Sequence, residues 1–140
     1  MDILNVLEKA TQINSVSGSE NEIRKFISDN VKKYCDELSV DAMGNLIAHK
    51  KGSGKKIMFA AHMDEIGIIV TDIDDKGFVR FSSVGGLNLR NLVNLRVRFA
   101  NGVEGVIGAE EESFKDKPAI SKLYVDLGAA DKKEAEKIVS

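Results

Sequence analysis

The apolar positions in the first third of the chain follow the period of an α-helix. Ile3, Leu7 and Ala10 recur at helical spacing and predict a first helix. Ser19 and Glu22 have the spacing of a capping box, which predicts the start of a second helix. The apolar stripe of this second helix comprises Ile23, Phe26, Ile27 and Tyr34.

Short strands and turns are predicted between residues 38 and 61. Leu38 and Val40 alternate with polar residues, residues 42–45 have the composition of a turn, and residues 46–48 predict a second strand. After a glycine-containing loop, residues 57–61 form an unbroken apolar run. Such a run predicts a strand that is covered on both faces, as in a sheet flanked by helices. The first half of the chain therefore indicates an α/β arrangement.

The second half has the pattern of an antiparallel sheet. Residues 66–73 and 78–81 flank an Asp-Asp-Lys-Gly turn, and residues 95–99 and 103–107 flank Asn101-Gly102, a pair typical of hairpin turns. A fifth strand is predicted at residues 123–127. Asp131 and Glu134 then predict the start of a terminal helix. The change in periodicity places a boundary near residues 64–67.

The composition restricts the classes of function. Hydrophobic residues make up 43% of the 140 positions, and 20 Lys+Arg against 22 Asp+Glu give a net charge of −2. Because the charges are mixed, no nucleic-acid or membrane partner is expected. Cys35 is the only cysteine, which excludes an internal disulfide. No signal peptide or membrane-spanning run is recognisable, so we expect a cytoplasmic location.

One of the two histidines follows directly after the apolar run. His62 and Asp64 are two residues apart, so on extended backbone their side chains project to the same side and can form a hydrogen bond. A carboxylate that accepts one imidazole N–H leaves the other nitrogen able to bind a metal. Taken alone, a His and an Asp at this spacing more often form an ordinary surface or half-buried pair than a metal site. Glu65 is either a further ligand or a solvated acid, His49 is expected to be structural or exposed, and the acidic run at residues 110–112 is expected to be a solvated surface.

A longer pattern around this histidine resembles the dinuclear-metal aminopeptidases of the glutamyl and TET (tetrahedral dodecamer) type, some of which carry the label cellulase or endoglucanase. The resemblance begins with His62-Met63-Asp64-Glu65-Ile66-Gly67 after the apolar run. It extends nearly from end to end through Ser17-Gly18-Ser19-Glu20, Asp41-Ala42-Met43-Gly44-Asn45-Leu46, Val84-Gly85-Gly86 with Arg90, Gly105-Val106-Ile107-Gly108 and Tyr124-Val125-Asp126-Leu127-Gly128-Ala129.

The resemblance implies an α/β fold with two parts. Residues 1–66 begin a three-layer, metallopeptidase-like catalytic domain, and residues 67–140 belong to an antiparallel, barrel-like inserted dimerisation domain. The implied function is that of the N-terminal portion of an aminopeptidase, which removes N-terminal residues from peptides with two divalent ions, zinc or cobalt. His62 corresponds to a metal ligand, and Asp64 corresponds to the catalytic-site residue that orients it. A homo-oligomer is also implied.

The remaining site residues of the family follow its inserted domain, and this sequence has no histidine after His62. A two-ion site needs a bridging carboxylate, terminal ligands and a general base. We therefore expect this chain alone to bind metal weakly or not at all, and to be inactive. Two alternatives stay open: a non-catalytic β-rich module for binding or oligomerisation, and a glycosidase, as the cellulase label of some relatives suggests.

Overall fold

The computed structural model describes residues 2–110 and 119–139. The chain divides into two compact units, Met1–Glu65 and Ile66–Ser140. The fold is a mixture of helices and antiparallel strands, as the sequence predicts. The assignment of the two units to a catalytic domain and a dimerisation insertion stays a prediction.

The first unit contains two helices followed by a β-hairpin. Helix α1 spans Ile3–Ala10 and helix α2 spans Asn21–Val31. Strands β1 (Glu37–Val40) and β2 (Leu46–His49) pair antiparallel across a tight turn. The carboxylate of Asp41 accepts the N–H groups of both Met43 and Asn45 at 2.9 Å, which fixes this turn. The predicted hairpin and the first helix are therefore confirmed.

The predicted capping box of α2 is wrong. The helix begins at Asn21 after Glu20, and no side chain caps it. Glu20 Oε1 instead accepts the N–H of Gly18 at 2.6 Å, because Gly18 turns the chain with φ +92° just before the helix. The helix also ends at Val31, so Tyr34 lies outside its stripe, in a short 3-10 turn.

The strand predicted at residues 57–61 is absent from the part of the chain that the structure describes, so this prediction is wrong. Ile57, Met58 and Phe59 are 79%, 88% and 94% exposed, and the segment runs irregularly. A strand covered on both faces needs neighbouring strands that pair with its backbone groups. No segment within residues 2–110 and 119–139 pairs with this one.

In the second unit the described residues form a five-stranded antiparallel sheet followed by helix α3 (Lys132–Val139). The strand order is β3-β4-β7-β6-β5. These strands are β3 (Gly67–Ile73), β4 (Val79–Val84), β5 (Arg96–Arg98), β6 (Glu104–Ala109) and β7 (Leu123–Asp126). The two predicted hairpins and the predicted fifth strand are confirmed.

The core of the second unit contains residues of the sheet together with Ala135 of α3. Its sheet residues are Ile73, Val79, Phe81, Ile107, Leu123 and Val125. The predicted start of α3 is confirmed, because Asp131 Oδ1 accepts the N–H of Glu134 at 2.9 Å, and Glu134 Oε2 accepts the N–H of Ala130 at 2.8 Å.

An ion-pair cluster lies on the sheet beside this core. Arg80 donates to Asp74 Oδ2 and to Glu110 Oε1, both at 2.9 Å, and Glu110 also pairs with Lys122 at 3.0 Å. Glu110 is the one member of the predicted acidic run that lies within the described residues, and it is ion-paired as well as partly exposed. Residues 111 and 112 lie outside them.

Among the residues that the structure describes, no helix combines the length and apolar character needed to cross a membrane.

Candidate metal and catalytic site

The candidate site lies at the end of the irregular segment in the first unit, where His62 and Asp64 form the predicted pair. His62 Nδ1 lies 2.9 Å from the backbone carbonyl oxygen of Asp64 and 3.1 Å from its Oδ1. The imidazole is 85% exposed and the carboxylate is 37% exposed. The two side chains therefore contact each other at the protein surface, as expected for residues two apart on extended backbone.

The contact of Nδ1 with this carbonyl favours one tautomer of His62. A carbonyl oxygen can only accept, so the contact is a hydrogen bond when Nδ1 carries the proton and donates it. In the neutral imidazole the lone pair is then on Nε2. No hydrogen-bond partner of Nε2 lies among residues 2–110 and 119–139. The exposed Nε2 of His62 therefore has a lone pair available, as in the imidazoles that bind zinc.

Asp64 is held from its other side by Ser17. The Ser17 hydroxyl donates to Asp64 Oδ2 at 2.5 Å, while Oδ1 faces the histidine. The hydroxyl of Ser17 is the largest influence on the pKa of Asp64. Together with His62, it holds this pKa below its ordinary value, although partial burial acts in the opposite direction. Asp64 is therefore an ionised acceptor, which suits a residue that orients a histidine.

Glu65 has a different role from the ligand that the sequence left open. Glu65 Oε1 accepts the N–H of Ser15 at 2.9 Å, and the N–H of Glu65 donates to the Ser15 carbonyl at 3.0 Å. Glu65 also pairs with Val16 as a parallel β-bridge. These contacts join the chain before α2 to the segment that carries His62 and Asp64.

The side chains around His62 can supply one ligand of a metal site. The described residues contain no group of three or more His, Cys, Asp or Glu side chains that could hold a metal ion. His49, the second histidine, contacts Glu37 Oε2 at 3.2 Å in the β1–β2 hairpin. A complete zinc site usually has at least three protein ligands. The other ligands of such a site would therefore have to come from outside residues 2–110 and 119–139 or from a second copy of the chain.

Sequence reasoning did not identify Ser17 as part of this site. Its contact with Asp64 joins residues 47 positions apart, so neither helical nor strand periodicity could show it. The available signal was its place at the start of the Ser17-Gly18-Ser19-Glu20 motif. That motif lies in an irregular connection just before α2.

Comparison with known proteins shows which proteins this chain is similar to. A model of the M42 glutamyl aminopeptidase family matches residues 44–140. A putative aminopeptidase of Acetivibrio thermocellus is 52% identical over 141 aligned residues, which cover 99% of this chain and 42% of that protein. The chain spans about two fifths of the length of the curated relatives that it matches over nearly its whole length.

The chain is also similar to solved structures. A TET1 peptidase of Pyrococcus horikoshii, which can assemble into a tetrahedron or a large octahedral shell, superimposes with a TM-score of 0.79. It is 38% identical, and the match covers 98% of this chain and 44% of that chain. An endoglucanase of Thermotoga maritima gives a TM-score of 0.82 at 38% identity, covering 96% of this chain and 42% of that one.

Proposed function

Because the chain belongs to the M42 glutamyl aminopeptidase family, we propose that it supplies His62 and Asp64 to the site of a metal-dependent aminopeptidase. The enzyme removes N-terminal residues from peptides. The observation that carries this proposal is the contact of His62 Nδ1 with the backbone carbonyl oxygen of Asp64 at 2.9 Å and with its Oδ1 at 3.1 Å, which leaves the lone pair of Nε2 exposed.

His62 and Asp64 have separate roles in this proposal. His62 Nε2 binds one of two divalent ions, zinc or cobalt, and Asp64 holds the imidazole in the tautomer and orientation that this bond requires. When bound, such ions polarise the scissile carbonyl of the peptide as Lewis acids. Since His62 is one ligand only, this chain by itself holds a metal ion weakly.

In this proposal the two units have different roles. The first unit is the start of a three-layer catalytic domain, and the second unit is an inserted domain through which copies of the protein dimerise. Homo-oligomer formation is supported by the similarity to the TET1 peptidase, whose structure is described as a large assembly. The antiparallel sheet and separate core of the second unit support its treatment as an inserted domain.

A glycosidase is the less favoured alternative, despite the endoglucanase name of one structural relative. Glycoside hydrolysis needs two carboxyl groups that face each other across a sugar-binding cleft. Asp64 is bonded to Ser17 and His62, whereas Glu65 is bonded to the Ser15 backbone. These contacts suit a residue that orients a histidine and a residue that ties two segments together.

Zinc titration of the ¹⁵N-labelled chain tests the proposed ligand. The protein has two histidines, so its imidazole signals can be assigned with His49→Ala and His62→Ala. We expect zinc to shift the Nε2 signal of His62 at several-fold lower concentration than that of His49. The reason is that two acceptors fix the tautomer of His62, whereas His49 has only Glu37, which is shared with Lys51.

The outcome of this titration is decisive for the metal part of the proposal. Equal responses of the two histidines would mean that zinc binds exposed imidazoles without selection, and the proposal would fail. The aminopeptidase part is tested on the polypeptide that the complete gene encodes. We expect it to hydrolyse aminoacyl chromogenic substrates with zinc or cobalt and to leave carboxymethylcellulose intact, and we expect His62→Ala to abolish the peptidase activity.

A further inference from the structure

Ser17 and His62 form hydrogen bonds with different oxygens of the Asp64 carboxylate. The Ser17 hydroxyl donates to Asp64 Oδ2 at 2.5 Å, and His62 Nδ1 donates to Asp64 Oδ1 at 3.1 Å. A carboxylate that accepts a hydrogen bond at one oxygen only can rotate about the bond between Cβ and Cγ, because this torsion has a broad energy minimum. The second bond, from Ser17, restricts the rotation and keeps Oδ1 towards the imidazole.

The backbone around Ser17 is tied to the segment that it serves. The N–H of Ser17 donates to the Glu65 carbonyl at 3.4 Å, and the N–H of Glu65 donates to the Ser15 carbonyl at 3.0 Å. The next turn is closed by the N–H of Ser19, which donates to the Val16 carbonyl at 2.8 Å. The backbone that carries the Ser17 hydroxyl is therefore held by its bonds to Glu65 and by the turn that Ser19 closes, and the hydroxyl does not depend on a long flexible side chain.

We propose that Ser17 is a positioning residue for His62 and acts through Asp64. It orients the carboxylate so that the Nδ1–H tautomer of His62 is favoured and Nε2 keeps its lone pair towards solvent. The identification of Nε2 as a metal donor rests on the proposed function, whereas the control of the tautomer does not. The backbone carbonyl of Asp64 also accepts from Nδ1, so loss of Ser17 weakens the preference and does not abolish it.

The test measures the tautomer directly. Long-range ¹H–¹⁵N spectra of the labelled chain, at about two pH units above the ordinary histidine pKa, report the populations of the two neutral forms. We expect Ser17→Ala to lower the ratio of Nδ1–H to Nε2–H in His62 about fivefold, the ratio that one ordinary hydrogen bond supports. Ser17→Thr keeps a hydroxyl and should restore most of the wild-type ratio.

Two further variants separate positioning from a general structural effect. Ser19→Ala is the matched control, because Ser19 lies in the same loop and its side chain makes no hydrogen bond within residues 2–110 and 119–139. The tautomer ratio of His62 in Ser19→Ala should equal that of the wild type. The tautomer ratio of His49 should be the same in all variants. Ser17→Cys, which keeps the size but donates weakly, should behave like Ser17→Ala and replaces it if the alanine variant misfolds.

Each outcome bears on one of the two proposals. A His62 tautomer ratio that is the same in the wild type, Ser17→Ala and Ser17→Cys would overturn the role of Ser17, even if zinc binds at His62. A shifted ratio in a chain whose His62 does not respond to zinc would support the role of Ser17 and contradict the proposed metal ligand. If both proposals hold, Ser17→Ala should also weaken zinc binding at His62 severalfold, and Ser19→Ala should not.

Discussion

Gly105 of β6 lies directly against the side chain of Val125 of β7, with no space between them for another carbon atom. A β-carbon at Gly105 would also approach the Asp126 carbonyl oxygen and Leu127 Cδ2 at 3.0 Å. Val125 is fully buried and cannot move aside without disturbing the core. We expect Gly105→Ala to lower the free energy of unfolding by about 1–3 kcal/mol, the usual cost of overpacking. Urea denaturation followed by amide signals of the second unit measures it.

Gly86→Ala is the control for this substitution. A β-carbon at Gly86 meets nothing within 4 Å, and the residue has no positive φ. Its effect should stay within about 0.5 kcal/mol, as for most surface changes. Equal stabilities of the two variants would contradict the packing argument.

Arg80 joins two carboxylates and an aromatic ring in the second unit. It bonds Asp74 and Glu110 and lies 5.7 Å from the centre of the Tyr124 ring. Its side chain is only 27% exposed. Replacement by methionine leaves both acids without this partner, so we expect Arg80→Met to lower the free energy of unfolding by about 1–2 kcal/mol.

Arg98→Met is the matched variant for Arg80→Met. Arg98 pairs with Glu104 at 3.2 Å, but its side chain is 63% exposed. Exposed ion pairs contribute between about 0 and 1 kcal/mol, so this change should be the milder one in the same denaturation experiment. A greater loss in Arg98→Met than in Arg80→Met would show that burial does not set the strength of these pairs.

The same cluster makes the second unit sensitive to acid. Burial acts to raise the pKa of Asp74, but the hydrogen bond and charge of Arg80, together with the N–H groups of Phe78 and Lys76, outweigh it, and the pKa lies below the ordinary 3.8. Hydrogen bonds from Lys122 and Arg80 lower the pKa of Glu110 below 4.5. A lowered carboxyl pKa stabilises the folded state fully above the ordinary value, and this stabilisation is lost as the pH falls below it. The urea concentration at the unfolding midpoint should therefore decrease as the pH is lowered from about 5 to about 3.

Arg80→Met tests the origin of this acid sensitivity. Without Arg80 the two pKa values return towards their ordinary range, so the urea midpoint of the variant should change less over the same pH interval. Arg98→Met should keep the wild-type dependence. Parallel pH profiles of the wild type and Arg80→Met would contradict the assignment to this cluster.

The parts of the fold that were predicted correctly depend on local backbone chemistry. Gly77 and Gly102 adopt φ of +82° and +87° in the turns of the two hairpins of the second unit. Such angles favour glycine, so the turn residues mark the hairpins in the sequence itself. The start of α3 is equally local, because Asp131 and Glu134 cap it within one turn.

The incorrect predictions concern features that depend on distant partners. The apolar run at residues 57–61 has the composition of a buried strand, but a strand also requires neighbours, and none pairs with it in the described residues. The capping box is the exception, because it failed locally: α2 begins at Asn21 directly after Glu20, so Ser19 is not at the cap position. The contact of Ser17 with Asp64 spans 47 positions and follows no period of the sequence. The His62–Asp64 contact was predictable because two residues of spacing suffice for it.

The exposed run at residues 57–59 should cause self-association. Three adjacent apolar side chains on an unpaired segment favour contact with another chain. We expect the isolated chain to sediment as a dimer or larger at high micromolar concentration and Phe59→Gln to shift it towards the monomer. Met43→Gln is the control, because Met43 is 87% exposed but lies singly in a hairpin turn. A clean wild-type monomer that binds no hydrophobic dye would contradict this prediction.

The isolated chain should hydrolyse no peptide above background. The described residues contain no group of three or more His, Cys, Asp or Glu side chains that could hold a metal ion, and removing members of a catalytic group that act together abolishes nearly all of the rate. The assay is incubation with aminoacyl chromogenic substrates and added zinc or cobalt, with His62→Ala alongside. Metal-dependent turnover that disappears in His62→Ala would disprove the prediction and would require ligands from a second copy of the chain.

The place of β7 in the sheet determines the order in which the second unit can form during synthesis. β7 is the last of the described strands along the chain, yet it lies between β4 and β6. The β3–β4 and β5–β6 hairpins can each close soon after they leave the ribosome, because their contacts are local. β7 is the strand that pairs with both hairpins, so they cannot join into one sheet until residues 123–126 emerge and insert between them. This insertion closes a long loop, so we infer that it sets the folding rate of the unit and that the nascent chain exposes two unjoined hairpin edges until then.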